Sequence, residues 1–193
     1  MRKAVLLDRD GVINHDYGYV GSVSRFEFLP QVPWALRTLK ELGYATVVVS
    51  NQSGIARGMY SLADNEAVMQ YLQSQLRAQG AALDGIYFCP HHPEAAVPQF
   101  RVDCDCRKPK PGMLLQAAAD LELDLRASIM VGDHLTDLQA GAAAHVGNLV
   151  LVGTHLAEAQ PRDKLEPALQ GLTCFADLPN FVRALQQGSY VPR

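Results

Sequence analysis

The chain has 193 residues, 48% of them hydrophobic and 19% charged, the make-up of one ordinary globular domain with room for a sizeable core and none for a second large domain. Its formal charge of -3 gives no overall basic field, so a nucleic-acid partner held by phosphate neutralisation is not expected. No apolar run approaches the ~20 residues needed to cross a bilayer, and Met1-Arg2-Lys3 leads straight into an apolar segment without a signal-peptide pattern. No membrane partner and a cytoplasmic location follow as expectations.

The first element is a short buried strand, Lys3 to Leu7, and it stops on Asp8-Arg9-Asp10-Gly11-Val12. Side chains at period two share a face, so Asp8 and Asp10 start out pointing the same way at a strand's carboxyl end, where open α/β sheets bind ligands. After an irregular segment from Asn14 to Pro30, a helix is expected over Val32 to Leu42, with Pro33 in its first turn and Gly43 past its end. The run Ala45 to Ser50 is a second buried strand, opening into Ser50-Asn51-Gln52-Ser53-Gly54, whose hydroxyls, amides and backbone N–H groups suit a phosphate. A helix capped by Ser61 should carry Leu62, Val68, Met69, Leu72 and Leu76 on its inner face and end at Gly80.

A third strand, Gly85 to Cys89, leads into a second long irregular segment, Pro90 to Pro111. Cys89, Cys104 and Cys106 crowd this segment beside His91 and His92, and in a reducing compartment that crowding points to a metal. Cys89, His91, Cys104 and Cys106 make the Cys₃His set of a closed structural zinc site over about residues 89–107, with His92 as the alternative imidazole and a disulfide or buried free thiols as the bland readings. Cys174 stands apart and reads as a small buried hydrophobe. Arg107-Lys108-Pro109-Lys110 then places three cations just before a helix opening at Pro111-Gly112, a favourable position for an anion.

The fourth strand, Ser128 to Gly132, ends on Asp133, with Asp137 four residues later in the following helix. A fifth strand, Asn148 to Val152, and an amphipathic helix over about Pro179 to Gln187 complete the pattern. Strands alternating with helices, joined by right-handed crossovers, predict an α/β fold, a doubly wound parallel sheet of order 3-2-1-4-5 with Asp8 and Asp133 at its switch point.

Carboxylates gathered at adjacent strand ends repel unless a cation lies among them, and Mg²⁺, which takes hard oxygen ligands, is the natural candidate. The parts compose a phosphoryl-transfer site in which Asp8 is the nucleophile and Asp10 the general acid and base, while Ser50 and Lys108 neutralise charge on the phosphoryl oxygens. These residues in this order resemble the haloacid-dehalogenase-like (HAD) phosphatase superfamily, over Lys3 to about Val152. The resemblance implies Mg²⁺ held by Asp8, the Asp10 main-chain carbonyl and Asp133, with Asp137 orienting bound water. Neither interval between motifs has room for a cap domain, so loops must set specificity. Within the superfamily, the resemblance of the cysteine loop and its neighbours implies a small sugar bisphosphate as substrate and a monomeric enzyme. It assigns substrate contacts to Asp16, Tyr17, Gly18, Tyr19, Ser50, Asn51, Gln52, Ser53, Arg107 and Lys108, with Arg107 gripping the phosphate that is not cleaved. Relatives can carry lysine after the Gly-Asp pair where this chain has His134, which leaves a charged substrate contact there open. The competing substrate is an imidazole-bearing monophosphate, and a zinc-organised binding module without catalysis is the alternative of another class.

Overall fold

The computed structural model describes residues 1–153 and 166–192. Six parallel strands form one sheet: β1 (Ala4–Leu7), β2 (Ala45–Asn51), β3 (Gly85–Cys89), β4 (Ile129–Gly132), β5 (Asn148–Val152) and β6 (Thr173–Phe175). Their order is β3-β2-β1-β4-β5-β6, so the predicted order holds and one edge strand is added beyond it. The α-helices among the described residues are α1 (Val32–Glu41), α2 (Leu62–Ala78), α3 (Gly112–Leu121), α4 (Leu135–Ala143) and α5 (Leu178–Gln186); α1, α2 and α5 fall within a residue or two of their expected bounds, and α3 opens at Gly112 as expected.

The strands read as unbroken apolar runs because both faces of the sheet are covered. Val5, Leu7, Val48, Ile129, Val131 and Val150 point into one core with Leu36 and Leu39 of α1, Leu72 and Leu76 of α2 and Phe181 of α5. Their neighbours Ala4, Leu6, Val47, Val49, Met130 and Leu149 point the other way, onto Met113 and Leu114 of α3 and Leu138 of α4. Each fully buried side chain of this size contributes roughly 1.5–3 kcal/mol, so the two half-cores hold the sheet rigid from both sides.

Local chemistry fixes the helix starts. At α2, Ser61 Oγ accepts from the Asp64 backbone N–H at 3.1 Å while Asp64 Oδ2 accepts from the Ser61 N–H at 2.8 Å, a reciprocal capping box. At α5, Asp177 caps by accepting from the Asn180 N–H at 2.7 Å.

Two expectations need correction. Leu62 is exposed rather than inward, because as the first residue of α2 it precedes the turn that meets the core. Cys174 is also exposed and not a buried hydrophobe: it lies in β6, an edge strand, where Thr173 and Phe175 are half-buried and the side chain between them points outward.

β1 pairs with β2 on one side and β4 on the other, in register Leu7 to Val48 and Leu7 to Val131. The reversal of winding therefore falls at its carboxyl end, and Asp8 continues the ladder with its N–H donating to the Val131 carbonyl at 3.0 Å. The segment after it folds back on itself through antiparallel pairing of Asn14 with Phe28, which brings residues 16–19 over the sheet's carboxyl edge.

Candidate active site

Immediately after Asp8 the chain turns sharply: the N–H groups of Ile13 and Asn14 donate to the Arg9 carbonyl at 2.8 and 3.2 Å, and Gly11 takes φ +78. A Cβ at Gly11 would fall 2.1 Å from Asp133 Oδ2, so only glycine lets the acids of β1 and β4 approach this closely. The result is an open cleft of about 270 Å³ at the carboxyl edge of the sheet. Asp8, Asp10, Lys108, His134 and Asp137 line it, with Asp16, Gly18 and Tyr19 from the first loop and Asn51, Gln52 and Ser53 from the second.

Lys108 is the electrostatic centre. Its ammonium lies 2.9 Å from Asp8 Oδ1 and 2.6 Å from Asp137 Oδ1, and donates to the Val49 carbonyl at 2.7 Å. Burial alone would lower this ammonium, but the carboxylates of Asp137 and Asp8 outweigh it and hold Lys108 above the ordinary lysine range. Burial pushes the Asp8 carboxyl up to about 6, against the pull of Lys108 and with the help of Asp137 and Asp10. Asn51 sets the height of this lysine: its Nδ2 donates to the Lys108 carbonyl and its Oδ1 accepts from the Lys108 N–H, both at 3.0 Å.

Asp10 is clamped. Arg9 Nη2 donates to both its oxygens at 2.8 Å, Asn14 Nδ2 to Oδ1 at 2.8 Å, and Gln52 Nε2 to Oδ2 at 3.0 Å. Arg9 is fully buried and also donates to the Val20 carbonyl at 3.0 Å, tying the acid to the first loop. Arg9 carries no role in the sequence-based expectations. Strand alternation is the missed signal: the residue between two cleft-facing side chains points inward here, where a charge must be paired.

Asp133, 4% exposed, lies 2.8 Å from His134 Nδ1 through Oδ1. That hydrogen bond, helped by the Asp133, Asp137 and Asp8 charges, outweighs burial and pushes His134 up to about 9. Burial raises the Asp133 carboxyl, with His134 opposing.

Other expected contacts are placed less directly. Ser50 and Gln52 are each 1% exposed, and Ser50 Oγ accepts from Gln52 Nε2 at 2.9 Å beneath the cleft surface. Tyr17 points away from the cleft, with its hydroxyl on Glu27 at 2.6 Å and its ring stacked on His15. The Arg107 guanidinium bonds the His91 carbonyl at 3.4 Å and lies outside the cleft lining.

Beside the cleft, Cys89, His91, Cys104 and Cys106 converge. Their Sγ atoms lie 3.5 Å apart for Cys89 to Cys104, 3.1 Å for Cys89 to Cys106 and 3.2 Å for Cys104 to Cys106, with His91 Nδ1 at 3.5 Å from Cys106. A tetrahedron with metal–sulfur bonds of ~2.3 Å has edges of about 3.8 Å, a few tenths of an ångström beyond these sulfur spacings, so the cluster suits a four-coordinate soft ion, and its sulfurs are far too distant for any disulfide. His92 is turned elsewhere, its Nε2 at 3.1 Å from Arg57 Nη2.

Sheet order, switch-point acids and the buried lysine define a phosphoryl-transfer hydrolase of the HAD-like class, and a HAD-hydrolase-like family model matches residues 105–175. The D-glycero-beta-D-manno-heptose-1,7-bisphosphate 7-phosphatase of Salmonella typhi is 48% identical over 185 residues, 95% of this chain and 97% of that protein. The enzyme of that name from Escherichia coli (strain K12) is 47% identical over 95% of each chain. The crystal structure of D,D-heptose 1,7-bisphosphate phosphatase from B. bronchiseptica, complexed with magnesium and phosphate, superposes with a TM-score of 0.82 at 34% identity, covering 96% of this chain and 99% of that one. The chain belongs to this family of HAD-like phosphatases.

Proposed function

We propose that the protein removes the C7 phosphate from D-glycero-D-manno-heptose 1,7-bisphosphate, leaving the heptose 1-phosphate, by way of a phosphoryl group carried on Asp8. The observation that carries the reading is Lys108 Nζ at 2.9 Å from Asp8 Oδ1 in a cleft that also holds Asp10 and Asp137. Relatives that act on this bisphosphate by name, and match nearly end to end, support the substrate.

An Asp8 carboxylate oxygen attacks phosphorus in line, forming the Asp8–phosphorus bond as the ester bond to the sugar breaks, and Asp10 gives its proton to the departing alkoxide. Asp10 then takes a proton from water, the water oxygen bonds to phosphorus, and the Asp8 bond breaks to release inorganic phosphate. Lys108 and the Ser50 hydroxyl face the charge that gathers on the phosphoryl oxygens, the largest source of acceleration in such transfers. Asp16, Gly18, Tyr19, Asn51 and Ser53 hold the sugar, and Arg107, whose side chain must swing off the His91 carbonyl, takes the second phosphate. His134, which also lines the cleft, joins them.

The donor set fits Mg²⁺. The acids at the strand ends offer hard oxygens, and burial raises both Asp8 and Asp133, a state that a divalent cation relieves. Asp8, the Asp10 carbonyl and Asp133 would hold the ion, which supplies charge neutralisation for the transferring group. Zn²⁺ fits the Cys89, His91, Cys104 and Cys106 cluster, where it would fix residues 89–107 and so position Arg107 and Lys108. The chain works in this reading as one capless monomeric domain in the cytoplasm; among the described residues no helix is long and apolar enough to cross a membrane.

Turnover measured side by side on both anomers of the heptose bisphosphate and on histidinol phosphate tests the substrate. Loss of the C7 phosphate at a kcat/KM far above that for histidinol phosphate is expected. The reverse ranking would assign the imidazole monophosphate instead.

A further inference from the structure

One ring joins the two loops that wall the cleft. Tyr60 follows the second loop, and its ring is gripped by a glycine from each: a Cβ at Gly21 would fall 2.1 Å from it, and one at Gly54 2.2 Å from it. The Tyr60 hydroxyl bonds Gln52 Oε1 at 2.6 Å, and Gln52 in turn sends Nε2 to Asp10 Oδ2 and to Ser50 Oγ.

The direction of this chain of bonds follows from which atoms can donate. In its anionic form, the one that takes a proton from water, Asp10 only accepts, so the amide must present its NH₂ to it, which turns its oxygen toward Tyr60 and requires the phenol to donate. Burial pushes the Tyr60 phenol up to about 12, which keeps that proton in place at working pH. The same NH₂ occupies Ser50 as an acceptor, and the Ser50 hydrogen is thereby left for an incoming phosphate oxygen. Were the amide reversed, its oxygen would face the Asp10 carboxylate and would take the Ser50 proton for itself.

We propose that Tyr60 is a positioning residue for phosphoryl transfer: by donating to Gln52 it locks the amide in the one orientation that braces Asp10 and frees the Ser50 hydroxyl for the transferring group. The inference rests on the phosphatase reading of the cleft. It also gives Gln52, a cleft-lining residue expected from sequence to touch substrate, the further task of bracing Asp10 and Ser50.

Tyr60→Phe removes the hydroxyl and keeps the ring between its two glycines. Because Asp10 and Ser50 act on the reacting phosphate, kcat should fall about tenfold with KM held within about twofold, the scale of one hydrogen bond. The experiment is steady-state phosphate release from the heptose bisphosphate by wild type, Tyr60→Phe, Gln52→Met and the double variant, each with its melting temperature. Gln52→Met should lose at least as much as Tyr60→Phe, and the double variant should fall no lower than Gln52→Met, since the phenol acts only through the amide. A Tyr60→Phe enzyme with unchanged kcat, a rise in KM alone, or losses that multiply in the double variant would each overturn the proposal. Should Gln52→Met not fold, the kcat-against-KM split of Tyr60→Phe decides by itself. A wild-type protein inactive on every phosphate ester is a separate failure: it removes the phosphatase reading and this inference with it.

Discussion

Among the described residues, two clusters of ligating side chains are joined by one loop and are built from opposite chemistry. The cleft gathers hard oxygens: Asp8 and Asp137 flank the buried Lys108 ammonium, Asp10 is held by the buried Arg9 guanidinium, and the site stays open to solvent on one side. The neighbouring cluster gathers three thiols and one imidazole, the full donor set of a four-coordinate soft ion. An open hard site suits an exchangeable ion and a passing phosphate, whereas a closed soft site suits a resident ion that shapes the chain. The two are mechanically joined: Cys106 precedes Arg107 and Lys108, and Asn51, paired in register with Cys89, grips the Lys108 backbone. Position of the lysine is thus set from both ends.

The largest effect should come from the cleft. Asp8→Asn is expected to abolish turnover, by at least about a thousandfold, because the amide has no anionic oxygen to attack phosphorus. Its melting temperature and bound zinc should stay near those of wild type, which circular dichroism and elemental analysis would check. Lys108→Met comes next, with a loss of about 100- to 1,000-fold in kcat, the cost of removing a charge that faces the transition state. The same variant leaves Asp8 and Asp137 without their shared cation, so its melting temperature should also drop.

In the soft cluster, Cys106→Ser should lose the tightly held metal and lower kcat by about tenfold through disorder at Lys108, without touching any reacting atom. A chelator strong enough to stop turnover by stripping Mg²⁺ should leave zinc at one per wild-type chain. If activity survived loss of the soft metal unchanged, the mechanical link between the clusters would be wrong.

The smallest effect lies far from both clusters. Burial tends to raise the Asp84 carboxyl, but hydrogen bonds from the Thr46 N–H, Arg2 and Lys40 prevail and hold it below the usual carboxylate range. A depressed carboxylate adds stability above its unfolded value of ~3.9 and forfeits it as pH falls through the folded value. Asp84→Asn should therefore cost on the order of 1 kcal/mol in urea unfolding at pH 7, with the gap to wild type closing as pH falls below about 4.

Much of the cleft was legible in the sequence because strands buried on both faces read as apolar runs, and each run gives way to polar residues at the sheet's carboxyl edge: Asp8, Ser50, Asp133. The Cys₃His set was legible by composition, and the structure chose His91 over His92 by turning His92 to Arg57. β6 left no trace, since three residues with one side chain outward carry too short an alternation to detect. Tyr60 and its link to Gln52 were also hidden. Their significance lies in a partner met across eight residues of folded loop, and spacing along the chain does not encode that.

The central claim is that Asp8 carries the phosphoryl group, and a crystal structure with Mg²⁺ and beryllium fluoride tests it most directly. Beryllium bonded to an Asp8 carboxylate oxygen, with Lys108 against a fluoride, is the predicted result. Beryllium bonded to any other side chain, or none bound while the enzyme turns over, would contradict it.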